Sequence, residues 1–235
     1  MEEVFRGGSL VMPTSPVTDL AQAVRWGELP TNRILAVAAV LLLVLALPDL
    51  LRLVPGLLYS FDRSRGSAEL EHSIGAARTR NLIALTFILP FCLMLDRYAL
   101  LRPRFWSLVP PQWSAPAALG LMAAFLLVRA LCYALFRPRR LGTEESATLR
   151  HLPYNSFILT AVLTLVTAGI CAVAQVPDGV VRTILYWETG LLWGFTLVRS
   201  GQFLDGKGFG FTTFLYLCGL EIVPAALLVA VVLLF

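Results

Sequence analysis

Six long apolar stretches, separated by short polar segments, constrain this chain more than any other feature. Each holds about 20 mostly apolar residues, the length that a helix needs to cross the hydrocarbon layer of a membrane. They cover residues 34–58, 82–101, 116–136, 154–174, 180–198 and 211–235. Because backbone polar groups within lipid must be satisfied internally, the sequence predicts an all-α polytopic membrane protein with about six transmembrane helices.

The composition excludes the main alternatives to a membrane protein. Hydrophobic residues make up 57% of the 235 residues and charged residues only 14%, whereas soluble domains carry about 25% charged residues. A soluble globular domain and a disordered chain are therefore excluded. We interpret residues 34–235 as a single transmembrane domain. The polar segment 1–33 precedes it, and its residues 19–26 can form an amphipathic helix on the membrane surface.

The first apolar stretch leaves two structures open. Pro48 and Pro55 lie in its second half, and proline removes a backbone donor and clashes with the preceding helical turn. Residues 34–47 alone are too short to span a bilayer. Either the helix continues through both prolines and crosses the membrane, or it breaks at Pro48 and residues 50–58 lie along the interface.

The distribution of basic residues predicts the orientation of the helices. The loops after the first, third and fifth stretches hold ten Lys and Arg residues, and the opposite side holds six. Cytoplasmic loops carry the excess of basic residues in membrane proteins, so we expect both termini outside. The net charge of +4 is then explained by loops that face anionic lipid, and no nucleic-acid partner is expected.

Ionisable residues within the apolar stretches are the candidate functional groups. Such residues are costly in a membrane, face the interior of a helix bundle and usually pair. Glu221 in the sixth stretch and Arg129 in the third lie at matching depths from the cytoplasmic side, and Pro224 frees the carbonyl of Leu220 beside the carboxylate. We predict that Arg129 and Glu221 form an ion pair. The same argument from depth predicts a second pair between Glu188 and Arg97.

The remaining candidates for chemistry are weak. His72 and His151 lie in two loops on the same predicted side, near several Glu residues, but no spacing typical of a zinc site connects them. The four cysteines lie within apolar stretches and form no C-x-x-C pair, which is typical of buried hydrophobic residues. The sequence contains no nucleophile motif, so we expect no catalytic residue, no bound metal and no cofactor.

The C-terminal stretch carries a resemblance to a known family. Phe-Thr-Thr-Phe-Leu-Tyr-Leu-Cys-Gly-Leu-Glu-Ile-Val-Pro, residues 211–224, follows Arg199. It resembles the final helix of a Bacteroidota family of multi-pass inner-membrane proteins defined by a domain of unknown function. The resemblance covers about the last third of the chain. It implies a location in the bacterial inner membrane, where the termini that the basic residues place outside would be periplasmic, and marks Arg199, Tyr216, Glu221 and Pro224 as motif positions. It implies no activity.

Three functions are compatible with these features. The small size, short loops and absence of a catalytic motif favour a non-enzymatic subunit or scaffold of a cell-envelope complex, which would contact the lipid bilayer and a membrane or envelope protein. A small-solute or proton-coupled transporter using Glu221 and Arg129 is the alternative. A lipid enzyme using the face with His72 and His151 is the third.

Overall fold

The computed structural model describes residues 26–62, 74–101, 103, 106, 108–135, 143–205 and 218–234. Labelled in chain order, its helices are α1 (Pro30–Asp62), α2 (Ile74–Arg97), α3 (Ser114–Leu135), α4 (Thr143–Val173), α5 (Asp178–Asp205) and α6 (Val223–Leu234). A short 3-10 turn, Pro111–Trp113, leads into α3, and a π-helical turn, Cys218–Ile222, leads into α6. The described residues contain no β-strand, so the predicted all-α class is confirmed.

Four of these helices are long and apolar enough to cross a membrane. Their candidate spans are Pro30–Gly56, Ala77–Arg97, Pro111–Ala134 and Tyr154–Val173. α5 is 28 residues long, but Arg182, Glu188 and several Gly and aromatic residues make it less apolar than a typical span. α6 contributes only the shorter apolar helix Val223–Val232. Among the described residues, length and composition therefore support four candidate membrane spans and do not confirm the predicted six.

α1 continues through both of its prolines. It is a single helix of 33 residues with Pro48 and Pro55 inside, about 50 Å long at the α-helical rise. The break at Pro48 that the sequence left open is absent. Proline is tolerated in membrane helices because neighbouring groups and local adjustments satisfy the freed carbonyls.

α2 is the central helix and packs against α1, α3 and α4. In its most apolar window 56% of the residues are buried, compared with 17% in α1 and 6% in α3. Ile83, Phe87 and Phe91 of α2 belong to the main apolar core, where the rings of Phe91 and Phe157 of α4 meet edge to face with centroids 5.4 Å apart. α5 packs on α4 and α6 packs on α3, so the flanking helices are connected through α2.

Candidate functional site

Arg129 and Tyr133 form one side of an intramembrane polar site. Both lie on α3, four residues apart, so their side chains share one face of the helix. Arg129 lies six residues before the end of α3, about 9 Å along the axis. Its guanidinium carbon is 5.8 Å from the centre of the Tyr133 ring, within the range of a cation–π contact. α3 therefore presents a cation together with a hydroxyl group.

Glu221 completes the site from the π-helical turn that precedes α6. Arg129 Nη2 lies 2.7 Å from Glu221 Oε1, and the Tyr133 hydroxyl donates to the same oxygen at 3.3 Å. The side chains of Arg129 and Glu221 are 20% and 9% exposed. The contact that the sequence predicts between Arg129 and Glu221 is thus present, and the charges of the two side chains neutralise each other.

Pro224 gives a local reason for the π-helical turn. It is fully buried, and its ring nitrogen cannot donate to the carbonyl of Leu220. A wider turn over Cys218–Ile222 accommodates this missing bond. Single π-helical turns are rare and occur frequently at functional sites. Here the turn carries Glu221, so the backbone irregularity and the buried carboxylate belong to the same feature.

The predicted pairing of Arg97 with Glu188 is wrong. Arg97 Nη1 lies 2.9 Å from Asp178 Oδ2 in the first turn of α5. Glu188 lies ten residues further along that helix, about 15 Å away, and accepts a hydrogen bond from the Thr167 hydroxyl. The sequence argument matched depths only roughly, and it overlooked Asp178 because it began the fifth span at residue 180.

Arg97 and Asp178 belong to a network that connects several helix ends, which we call the terminal network: Trp26, Asp96, Arg97, Ser114 and Asp178. The Trp26 indole and the Ser114 hydroxyl both donate to Asp96 Oδ2, at 2.7 and 3.0 Å. The segment before α1 is thereby linked to the end of α2 and the start of α3. Together with the Arg97–Asp178 pair, these bonds fix the relative positions of four chain segments.

Two further bonds join the start of α5 to the segment after α2. Arg182 Nε donates to the carbonyl of Tyr98 at 2.8 Å, and the Tyr186 hydroxyl donates to the carbonyl of Leu100 at 2.6 Å. These bonds satisfy carbonyls near the C-terminal end of α2, where no helical donor follows. Burial raises the pKa of the Tyr98 hydroxyl, which the Arg97 guanidinium partly offsets.

Hydroxyl groups connect α5 with the candidate span of α4, Tyr154–Val173. Thr167 bonds to Glu188, and Ser156 bonds to Thr196. Thr164, which is fully buried, donates instead to the carbonyl of Thr160 within α4 at 2.7 Å. Hydrogen bonds between side chains of two helices, such as those of Thr167 and Ser156, are a usual means of association between membrane helices.

The structure describes only some of the other residues that the sequence singled out as candidates. Arg199 lies on α5 and donates to Gln202 Oε1 at 3.4 Å. His72 and Tyr216 lie outside the described residues, and so does the side chain of His151. Within the described part of the chain, no cluster of three or more His, Cys, Asp or Glu residues could hold a metal ion. Cys92, Cys132 and Cys171 are buried free thiols.

Comparison with protein-family models, curated proteins and solved structures finds no match to this chain. No residue role can therefore be transferred from a relative. The geometry of the described residues alone supports the assignment of a role to the polar site.

Proposed function

We propose that this chain is a non-enzymatic integral membrane protein that acts as a subunit or scaffold of a cell-envelope complex. In this proposal six helices cross the bacterial inner membrane, both termini are periplasmic, and the chain belongs to the Bacteroidota family that its C-terminal stretch resembles. α5 and the apolar stretch that ends in α6 supply the two crossings beyond the four candidate spans.

The exposure of α3 is the observation that carries this proposal. Only 6% of its most apolar window is buried, and Leu127 and Leu131 are 66% and 61% exposed. Its one charged residue, Arg129, is paired with Glu221. α3 therefore combines a charge that is used to hold α6 with a broad apolar surface, which suits contact with lipid and with a second membrane protein.

The ion pair also favours a structural role over the alternative of a transporter. Transport by Glu221 requires a carboxylate that can release its counter-charge and bind a proton or a solute. Arg129 and Tyr133 both contact the same oxygen of Glu221, and breaking a buried ion pair by removing one partner is strongly unfavourable. We therefore assign this pair to helix packing.

Site-specific photo-crosslinking in native membranes tests the subunit proposal. We expect a photoreactive amino acid at Leu127 or Leu131 to yield one discrete protein adduct, identified by mass spectrometry. The buried neighbour Cys132 is the matched control position and should yield no intermolecular adduct. Adducts with lipid alone at both exposed positions would contradict the proposal.

Cysteine labelling tests the proposed orientation. Leu108, between α2 and α3, is 83% exposed, and Gln202 is an exposed residue near the opposite end of α5. In intact cells, a membrane-impermeant maleimide should label Leu108→Cys, and Gln202→Cys should react only after permeabilisation. The reverse pattern would place the termini in the cytoplasm.

A further inference from the structure

Glu188 differs from every other carboxylate whose contacts the structure describes. It lies about 15 Å into α5, facing α4, where the Thr167 hydroxyl donates to its Oε1 at 3.2 Å. Its second oxygen, Oε2, is buried and has no hydrogen-bond partner among the described residues. One neutral hydroxyl group is therefore its single polar contact.

No cation compensates Glu188 within the described residues. The facing part of α4, Tyr154–Val173, carries no charged residue, and Cys171, one turn beyond Thr167, is a buried thiol. On α5, Arg182 donates to the carbonyl of Tyr98 and Tyr186 to that of Leu100. At the end of α2, Arg97 is paired with Asp178.

An ionised carboxylate in this position would leave the buried oxygen Oε2 without a donor or a cation among the described residues to compensate it. Burial in an apolar environment disfavours the charged form of an acid, and a nearby cation or several donors are needed to offset that cost. Glu221 has Arg129 and Tyr133 for this purpose, whereas Glu188 has a single hydroxyl. Binding one proton removes the charge without any cation.

We propose that Glu188 is a proton-binding site within the membrane, a neutral carboxylic acid at neutral pH that carries its proton on Oε2. The site is reached from the side of the bundle, because the adjacent Trp187 and the nearby Leu191 on α5 are exposed. This inference goes beyond the proposed role as a subunit and does not depend on it. The ligand of the site is a proton.

Labelling with dicyclohexylcarbodiimide tests the proposal on the full-length protein in lipid vesicles. This apolar reagent reacts with neutral carboxylic acids, and mass spectrometry of peptides locates the adduct. We expect the adduct at Glu188 to exceed that at Glu221 at least about tenfold, a ratio that corresponds to about one pKa unit. The adduct should decrease as the pH is raised. Equal labelling of the two residues, or none at Glu188, would overturn the proposal.

Two variants make the assignment specific. Glu188→Gln should abolish the adduct on that peptide. Thr167→Val removes the hydroxyl that favours the charged form, so labelling of Glu188 should persist to higher pH than in the natural protein. A shift to lower pH would contradict the proposed site. Protection by Na⁺ at constant pH would also overturn it, because the ligand would then be a metal cation.

Infrared spectroscopy provides a measurement that does not depend on access of the reagent. The carbonyl stretching band of a neutral carboxylic acid should be present at neutral pH and lost in Glu188→Gln. Asp178→Asn is the matched control and should retain the band, because Asp178 is paired with Arg97. If the Glu188→Gln protein retains the full band, Glu188 is ionised and the proposal fails.

Discussion

The two ion pairs of this protein have the same chemistry but different surroundings. Arg97 and Asp178 lie at helix ends, with side chains 26% and 23% exposed. Each also complements the dipole of its own helix, since Arg97 ends α2 and Asp178 begins α5. Arg129 lies within the apolar helix α3 and Glu221 in the π-helical turn that leads into α6, and the Glu221 side chain is only 9% exposed.

This difference in surroundings determines how much each pair contributes to the packing of its helices. At the helix ends, water can solvate either charge if its partner is lost, so the pair adds to a network that has other bonds. Between α3 and α6, loss of one partner leaves a charge with Tyr133 as its remaining contact in this site. We therefore expect the inner pair, Arg129 and Glu221, to be essential for packing of α6. The outer pair, Arg97 and Asp178, is expected to be one of several contacts.

The largest expected effect comes from removing one member of the inner pair. Glu221→Gln or Arg129→Met should lower the free energy of unfolding in detergent by about 3 kcal/mol, because an unpaired buried group remains. The double variant should be more stable than the worse single variant. Simple addition of the two single effects would show that the sites are independent, and Arg129 would then be solvated alone.

A second test of the inner pair keeps the charge and changes its shape. Arg129→Lys should lower the free energy of unfolding by about 1–2 kcal/mol, since a compact ammonium cannot reproduce the planar guanidinium beside Tyr133 and Glu221. The same measurement in detergent checks it, with Arg97→Lys as the matched control at the outer pair. Equal losses at the two positions would contradict the proposed difference.

The outer pair should respond less and should depend on salt. Asp178→Asn is expected to cost about 1 kcal/mol, the upper end for a solvent-accessible pair. Because salt screens exposed charges more than buried ones, the difference from the natural protein should shrink at high ionic strength. The cost of Glu221→Gln should stay nearly constant over the same range, and a parallel decrease would show that water reaches both pairs.

The smallest expected effect is that of Tyr133→Phe. This change removes one hydrogen bond of 3.3 Å to Glu221 and keeps the ring beside Arg129. We expect a loss of about 0.5–1 kcal/mol, typical of one hydrogen bond. Thr183→Val is the control, since the Thr183 hydroxyl is exposed and bonds only within α5. If Tyr133→Phe lowers the free energy of unfolding by less than this control does, the bond to Glu221 is dispensable.

The sequence predicts the inner pair and fails at the outer one for a physical reason. A deep arginine cannot lose its proton and has few acceptors in reach, so depth identifies Glu221. At the end of α2, several acceptors lie close together, including Asp96 and Asp178, and depth does not choose between them. Tyr133 follows Arg129 by one helical turn, and this spacing could have indicated its role in advance.

The helices themselves are easier to predict than their use as spans. All six apolar stretches are helical over most of their described residues, because long apolar segments must satisfy their own backbone groups. Composition and length confirm only four as candidate spans. α1 continues as a helix through Pro48. Groups of neighbouring segments can stabilise a helix at a proline, and the pattern of residues 34–58 does not show which neighbours they are.

The central position of α2 has a consequence for biogenesis. A helix that packs against three others can carry a polar residue such as Arg80, which is buried, and a lipid-exposed helix would avoid such a residue. Such a helix leaves the insertion machinery less readily by itself than α1 does. We therefore expect α1 to enter the bilayer first and to wait beside the translocation channel until α2 joins it, so that the two partition into lipid as a hairpin.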